Sequence, residues 1–271
     1  MQKKIFWAGL FIMALASNIC LAGFNLSGDE IEFDMESNLG VARGHVVLIQ
    51  DGGKATGNYA QFNNKTKSGY LQGNVVADKD GYHITADTLT VHDEDHSSAS
   101  GNAVLVKDGR TLKAPLIDYY KTQQYLQAGN GRATLIDTDG SVVEADEINY
   151  NHAEGVAKAN GSVYIRSDVR KLEAKADSAI YRVDNSNSAA NYLELIGNAS
   201  ATQDGNTVRG NKLKLNNAKV AQADGRVIID YTPKPTAPKA EAAVEKETLG
   251  DNKGQQKVRR VRAYPDAPEE V

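Results

Sequence analysis

The chain contains a single cysteine, Cys20, and it lies in a segment that we expect to be removed. Residues 1–22 have the organisation of a secretory signal peptide, with two lysines ahead of an apolar stretch from Ile5 to Leu15. We expect cleavage after Ala22, which leaves an exported domain with no thiol and no disulfide. Lipidation of Cys20 is the alternative, but residues 17–19 make a poor lipobox. The exported domain must therefore be stabilised by its own hydrophobic core.

The sequence also lacks a second long apolar run and an excess of basic residues. The stretch from Ile5 to Leu15 is too short to span a bilayer, and no other stretch is longer. Without its first 22 residues the chain has 29 Lys and Arg against 35 Asp and Glu, a formal charge of −6. Nucleic-acid binding needs a strongly basic face, so the composition argues against that class of function.

Proline is scarce in most of the chain, and its distribution gives the domain boundary. Only Pro115 of the six prolines precedes residue 232, and we expect it at the start of a strand. Residues 23–231 are therefore predicted to form one domain. Residues 232–271 are rich in Pro, Ala, Lys and Glu and predict a disordered tail. The basic cluster at 257–262 is interpreted as part of this solvated tail, with binding to anionic lipid or to an acidic partner as the alternative.

Helical spacing of apolar residues is absent from residues 23–231, and a repeat built on glycine is present instead. Glycine returns at intervals of 28 to 36 residues, and the residues two and four positions after it are apolar. Self-similarity at this period indicates a repeat architecture, and the alternation predicts strands with one buried face. The recurring glycines are Gly44, Gly73, Gly101, Gly131, Gly161, Gly197 and Gly225.

Within each repeat we predict two strands joined by a tight turn. In the repeat from Gly73 to His92, the glycine opens the first strand, Asp80-Gly81 reverses the chain, and Ala86-Asp87 begins the second strand. An Asp-Gly pair between alternating segments is a strong hairpin signal. The sequence therefore predicts an all-β, antiparallel domain of about seven two-strand repeats, each about 29 residues long. Gly28-Asp29 begins a half-repeat, which leaves a strand available at each end.

Candidate catalytic and metal-binding residues are either scattered along the chain or recur with the repeat. The cluster from His92 to His96 offers ligands for zinc or a hard cation, but its position between two predicted strands favours a polar turn. The acidic residues of the Ala-Asp pairs recur, whereas a general base is expected once. We therefore predict no catalytic residue, no metal site, no cofactor and no enzymatic activity.

The predicted inward face is the remaining candidate for function. Many inward positions carry small residues, such as Ala77, Ala103 and Ala199, among Leu, Val and Ile. A face meant only to fill a core favours larger side chains. Small residues on facing sheets leave room for an apolar ligand, and compensation for nearby tyrosines is the alternative.

The repeated motifs resemble those of the OstA-like (LptA) family of periplasmic lipopolysaccharide-transport proteins. The resemblance covers about Gly28 to Tyr231. It lies in Gly-Asn-Val segments such as Gly73-Asn74-Val75 and in Ala-Asp segments such as Ala145-Asp146-Glu147-Ile148-Asn149-Tyr150. It implies a twisted β-jellyroll whose two sheets enclose a hydrophobic groove for the acyl chains of lipid A. The long tail and the extension between Gly161 and Gly197 leave open which member of the family this chain is.

The groove lining that the resemblance implies corresponds to the inward positions of the repeats. These are Val46, Leu48, Phe62, Val75, Ala77, Leu89, Val91, Ala103, Leu105, Ile117, Tyr119, Ala133, Leu135, Ile148, Tyr150, Val163, Ile165, Ala199, Leu213 and Leu215.

The resemblance also implies partners at both membranes. Seven strands per sheet at ~4.8 Å each would span roughly 34 Å, so protomers are expected to join end to end or to transport components with similar domains. We expect the edges that join to be the strand with Ile31 and Phe33 and the strand with Val227 and Ile229. The rival interpretations are a parallel β-solenoid that serves as a structural, adhesive or polysaccharide-binding protein, and a solenoid-type polysaccharide lyase or hydrolase.

Overall fold

The structure, a computed structural model, describes residues 24–50, 52–182, 191–216 and 221–230. These residues form strands and turns, and no helix occurs among them. Consistent with this, the described residues include no helix long and apolar enough to cross a membrane. The expected signal peptide and tail, and the 183–190 part of the extension, lie outside these ranges. The predicted all-β, antiparallel class is confirmed.

Ten of the eighteen described strands are 10 to 12 residues long. They are β3 (Leu39–Gln50), β4 (Gly53–Asn63), β5 (Ser68–Lys79), β6 (Tyr82–Val91), β7 (His96–Lys107), β8 (Arg110–Tyr120), β13 (Val156–Ser167), β14 (Leu172–Arg182), β15 (Tyr192–Gln203) and β16 (Asn206–Asn216). The other eight are short: β1 (Phe24–Ser27), β2 (Glu30–Asp34), β9 (Tyr125–Gly129), β10 (Ala133–Ile136), β11 (Val142–Ala145), β12 (Glu147–Asn151), β17 (Ala221–Asp224) and β18 (Ile228–Asp230).

The strands follow one another as an antiparallel meander, and the Asp-Gly pairs make several of its turns. Lys79 pairs with Tyr82 across Asp80-Gly81, and both turn residues have positive φ angles, 50° and 77°. This is the geometry of a type I′ hairpin turn, whose twist matches that of the flanking strands. All pairings among the described strands are antiparallel. The parallel solenoid of the rival interpretations is therefore wrong.

Five of the seven recurring glycines lie within long strands, where each was expected to open a strand. The other two, Gly131 and Gly225, lie between two short strands. In β5, Gln72 pairs with Thr88 and Val75 pairs with Ala86, so Gly73 and Asn74 together oppose the single residue Asp87. Two residues against one is a β-bulge, which bends the strand and keeps the ladder on both sides. The prediction failed because a bulge and a strand start both call for glycine.

The bulges fold one sheet on itself, where two separate sheets were expected. The bulges recur from strand to strand and form a line across the sheet, which we call the crease. Where a strand is interrupted at the crease it is divided into two short strands, as β1 and β2 are at Gly28-Asp29. Counting each interrupted pair as one crossing, the described strands make fourteen crossings, and each contributes to both halves of the sheet. At ~4.8 Å per strand, each half extends about 60 Å across, so the expectation of seven strands and 34 Å was too short.

The crease explains why glycine and aspartate recur together. Gly101 has φ 75°, and a Cβ at this position would lie 2.2 Å from Oδ2 of Asp87 on the preceding strand. The next residue, Asn102, is also left-handed at φ 49°, a conformation that asparagine tolerates better than most residues. The same neighbours meet at Gly44 and Asp29, Gly161 and Asp146, and Gly197 and Asp177.

Pro115 occupies the crease rather than the strand start that was expected for it. It lies inside β8, between Ala114, which pairs with Ala103, and Leu116, which pairs with Ser100. Its place corresponds to that of Asp87 in the bulge, where a residue has no ladder partner. Proline, which has no N–H to donate, is therefore tolerated in the middle of the strand.

The inner faces of the two halves share one core. Ala42 before the crease and Val46 after it are both fully buried, and the buried apolar residues from β3 to β16 form a single cluster. Residues two positions before six of the seven recurring glycines, such as Leu71 and Leu195, are buried as well, and Ala223 before Gly225 is the exception. The alternating pattern thus runs through the crease, and the core fills the space between the halves.

Candidate functional site

The structure brings the predicted lining residues together on the inner face of the folded sheet. Leu48, Phe62, Val91 and Leu215 are half-buried. The others are buried in one cluster: Val46, Val75, Ala77, Leu89, Ala103, Leu105, Ile117, Tyr119, Ala133, Leu135, Ile148, Tyr150, Val163, Ile165, Ala199 and Leu213. In this conformation most of the predicted lining therefore contacts other side chains of the core rather than an open groove.

A cavity of about 120 Å³ lies between β1 and the strands from β3 to β6. Four predicted lining residues border it, namely Leu48, Phe62, Leu89 and Val91. Its wall also includes Leu26 and Leu71 and the polar residues of the turn between β4 and β5. The apolar interior is thus accessible near the N-terminal edge of the sheet.

The sequence-based list of inward positions omitted the buried residues that precede the recurring glycines on the same strand. Ala42, Leu71, Ala99, Ala159 and Leu195 are buried, and each lies two residues before a recurring glycine. The signal was present, because the period-2 alternation continues on both sides of the glycine. It was not used because the glycine was taken as the beginning of a strand.

All four predicted edge residues are exposed, and three of them lie on terminal strands. Ile31 and Phe33 are on β2, with relative exposures of 49% and 46%, and Ile229 is on β18 at 65%. Phe33 stacks on Phe62 with ring centroids 6.2 Å apart. Val227 is exposed too, but it precedes β18 rather than belonging to it. The interruption of the strand at the crease, after Gly225, accounts for this difference.

Each terminal strand pairs with one neighbour only among the described residues. At one end β1 and β2 both pair with β3, and at the other end β17 and β18 both pair with β16. The outer edges of these strands therefore present backbone N–H and C=O groups that the described strands do not use. Such an edge is a template for pairing with another strand.

Burial in the interior raises the pKa of two inward tyrosines, Tyr181 and Tyr119. Desolvation raises the pKa of the Tyr181 phenol to about 12. Desolvation is also the main cause that raises the pKa of Tyr119, and the carboxylate of Asp95 adds to it. Both side chains are buried among aliphatic residues. The space between the two halves of the sheet is thus an apolar environment that disfavours ionised groups.

The His92–His96 cluster lies in the turn between β6 and β7. Oδ1 of Asp93 accepts hydrogen bonds from the backbone N–H groups of Asp95 and His96, and these bonds lower the pKa of Asp93. The structure adds a residue that the sequence analysis did not consider, because Asp118 on β8 lies 2.7 Å from Nε2 of His96. Strand pairing brings it there from 22 residues away in the sequence.

Comparisons with known proteins bear on the identity of the domain. No curated protein matches the chain. Among solved structures, a crystal structure of LptH, described as the LptA homologous periplasmic component of the conserved lipopolysaccharide transport device from Pseudomonas aeruginosa, is 15% identical. The match covers 78% of this chain and 96% of LptH, with a TM-score of 0.16.

A family model described as "LptA/(LptD N-terminal domain) LPS transport protein" matches residues 54–220. The matched segment begins in β4 and ends after β16, so it contains most of the folded sheet and its core. It also contains most of the Gly-Asn and Ala-Asp pairs that form the crease. The chain belongs to this family of lipopolysaccharide-transport proteins.

Proposed function

We propose that this protein carries the acyl chains of lipopolysaccharide through the periplasm, between the two halves of its folded sheet. The observation that carries the proposal is the single apolar core running from β3 to β16, together with the cavity near its N-terminal edge. Family membership and the predicted signal peptide support transport and a periplasmic location. The role needs no catalytic residue, because binding and release are its only steps.

The hydrophobic effect supplies the driving force for this role. An acyl chain gains roughly 0.8 kcal/mol for each CH₂ group that it removes from water, so an apolar interior favours a lipid that must cross an aqueous compartment. A cavity of about 120 Å³ is too small for several acyl chains. Loading therefore requires the two halves to separate. Small inward residues such as Ala77, Ala103 and Ala199 make fewer contacts than larger residues would, which lowers the cost of that separation.

The terminal strands provide the means to extend the interior beyond one protomer. A strand added to β2 or β18 would continue the ladder by β-augmentation. The exposed apolar residues Ile31, Phe33 and Ile229 would be covered by the same contact. Partners of this kind are a second copy of this chain, joined head to tail, or inner- and outer-membrane transport components that carry a similar fold.

Photo-crosslinking in cells tests the lipid-binding role. A photoreactive residue at Leu48, which borders the cavity, is expected to form adducts with lipopolysaccharide. The matched control is Ile49, the next residue of β3, which is 45% exposed and does not line the cavity. Equal labelling at both positions, or no lipid adduct at Leu48, would contradict the proposal.

The same method tests the bridging role separately. Photoreactive residues at Ile31 and Ile229 are expected to form protein–protein adducts, because both lie on terminal strands with an unused edge. Glu173, on the interior strand β14, is the control, because this strand already pairs with a neighbour on each side. If neither terminal position forms an adduct in cells, the bridging role is wrong even where lipid adducts are found at Leu48.

A further inference from the structure

A cluster of metal-ligating side chains lies at the turn after β6, and none of its residues lines the cavity. His92, His96 and Asp118 each offer one ligand atom, and these atoms lie within 4.8 Å of one another. Nε2 of His96 is 2.7 Å from Oδ1 of Asp118. The imidazole rings of His92 and His96 are stacked with centroids 4.2 Å apart and an interplanar angle of 16°. The imidazole of His96 therefore points at the carboxylate of Asp118, with a ring nitrogen of His92 within reach of both.

Strand pairing holds the three side chains in this arrangement. Ser98 on β7 is the cross-strand partner of Asp118 on β8, and Nε2 of His92 lies 2.8 Å from Oγ of that serine. Both histidine Nε2 atoms therefore point at the same cross-strand pair. Tyr120 supports the site from the other side, because its ring stacks on His96 with centroids 4.4 Å apart.

The turn that carries the histidines is itself anchored. The backbone N–H of His92 donates to the carbonyl of His96 at 2.9 Å, which closes the hairpin. Oδ1 of Asp95 accepts a hydrogen bond from the backbone N–H of Thr122, in the neighbouring turn. The backbone positions of all three ligating residues are thus fixed by the sheet and its turns.

We propose that His92, His96 and Asp118 bind one zinc ion. Imidazole nitrogens with a carboxylate oxygen suit zinc, whereas calcium and magnesium prefer oxygen ligands alone. In a tetrahedral site with bonds of about 2.0–2.1 Å, ligand atoms are about 3.3 Å apart. A bound metal lies in the plane of each imidazole ligand, so the stacked rings of His92 and His96 would have to rotate apart for both nitrogens to reach one ion. The fourth position is left to water or to a donor from another molecule.

Two other histidine–aspartate pairs show what sets this cluster apart. His83 lies 2.7 Å from Asp78, and His45 lies 2.8 Å from Asp29. Each of these is an exposed pair with a single imidazole. Among the described residues, only the His96–Asp118 pair has a second histidine stacked on its imidazole. This pair is also less exposed, with side-chain exposures of 24% for His96 and 16% for Asp118.

A zinc ion at this site would connect the turn after β6 to β8. Val91, which lines the cavity, directly precedes His92. The ion would therefore rigidify the sheet beside the opening to the interior. Because a ligand that binds only the folded state stabilises it by mass action, zinc is expected to raise the melting temperature.

The test is calorimetric titration of zinc chloride into the full chain purified without a histidine tag. We expect one ion per chain and a zinc-dependent rise in melting temperature. His92→Gln, His96→Gln and Asp118→Asn are each expected to weaken binding by about 100-fold or more, because loss of even an outer partner of a metal ligand costs 10–100-fold. His83→Gln is the control and is expected to bind as the wild type does.

His92 keeps the test independent of folding, because its side chain is exposed and its removal leaves the core intact. An unchanged circular dichroism spectrum for His92→Gln shows that lost binding is a local effect. The proposal is overturned if the wild type does not bind one ion. It is also overturned if His92→Gln and Asp118→Asn bind normally, or if His83→Gln weakens binding as much as they do.

Discussion

Replacing Leu48 with glutamate is expected to reduce the amount of lipopolysaccharide bound by the protein by about tenfold or more. Leu48 lines the cavity and packs against the core. A carboxylate at this position would lose its water of hydration when an acyl chain binds. We expect this desolvation to cost at least about 1.4 kcal/mol, which corresponds to a tenfold loss of affinity. Binding of purified lipopolysaccharide to the purified protein measures the effect.

Ile49→Glu is the matched control for this substitution. It introduces the same charge one residue further along β3, at a position that does not line the cavity, where Lys54 is the cross-strand partner. Binding is expected to stay within about twofold of wild type, since exposed substitutions of this kind change little. If both variants lose lipid equally, net charge rather than the interior controls binding.

Gly101→Ala is expected to destabilise the folded protein by about 2–4 kcal/mol. The added Cβ would lie 2.2 Å from Oδ2 and 2.6 Å from Cβ of Asp87. Rotation of the carboxylate relieves the first contact but not the second. Alanine at φ 75° is also strained. Chemical denaturation measures the free energy of unfolding.

Two further variants separate crowding from backbone strain. Gly205 has a similar φ of 84°, but a Cβ there meets nothing within 4 Å, so Gly205→Ala should cost only the strain, about 1–2 kcal/mol. Asp87→Gly removes the crowding atoms and is expected to rescue Gly101→Ala in part. Equal losses for Gly101→Ala and Gly205→Ala, without rescue, would show that the crease does not depend on this contact.

Much of the fold could be predicted because the local signals are strong and repeated. A hairpin turn of the type formed by Asp80-Gly81 needs positive φ angles at two consecutive residues, and few residues other than Asn, Asp and Gly adopt them readily. Alternation in positions such as Val75 and Ala77 identified the buried face. The place of Gly73 was wrong because a bulge depends on what lies opposite it, here Asp87, and sequence alone does not give the pairing.

The candidate site was predicted unevenly for the same reason. The inward positions were found, because burial follows from period-2 patterning. Whether facing side chains contact each other or leave a groove depends on the distance between the two halves, which no local pattern encodes. Likewise, Asp118 joins His96 through strand register, so the cluster of three could not be read from the histidines alone.

The central claim is that the apolar interior carries acylated lipid, and mass spectrometry of lipid that co-purifies with the protein from the periplasm tests it most directly. The account predicts that lipopolysaccharide is recovered with the wild-type protein and with Ile49→Glu, and that it is strongly depleted from Leu48→Glu. Recovery of no lipid with the wild-type protein, together with no binding of added lipopolysaccharide, would contradict the account.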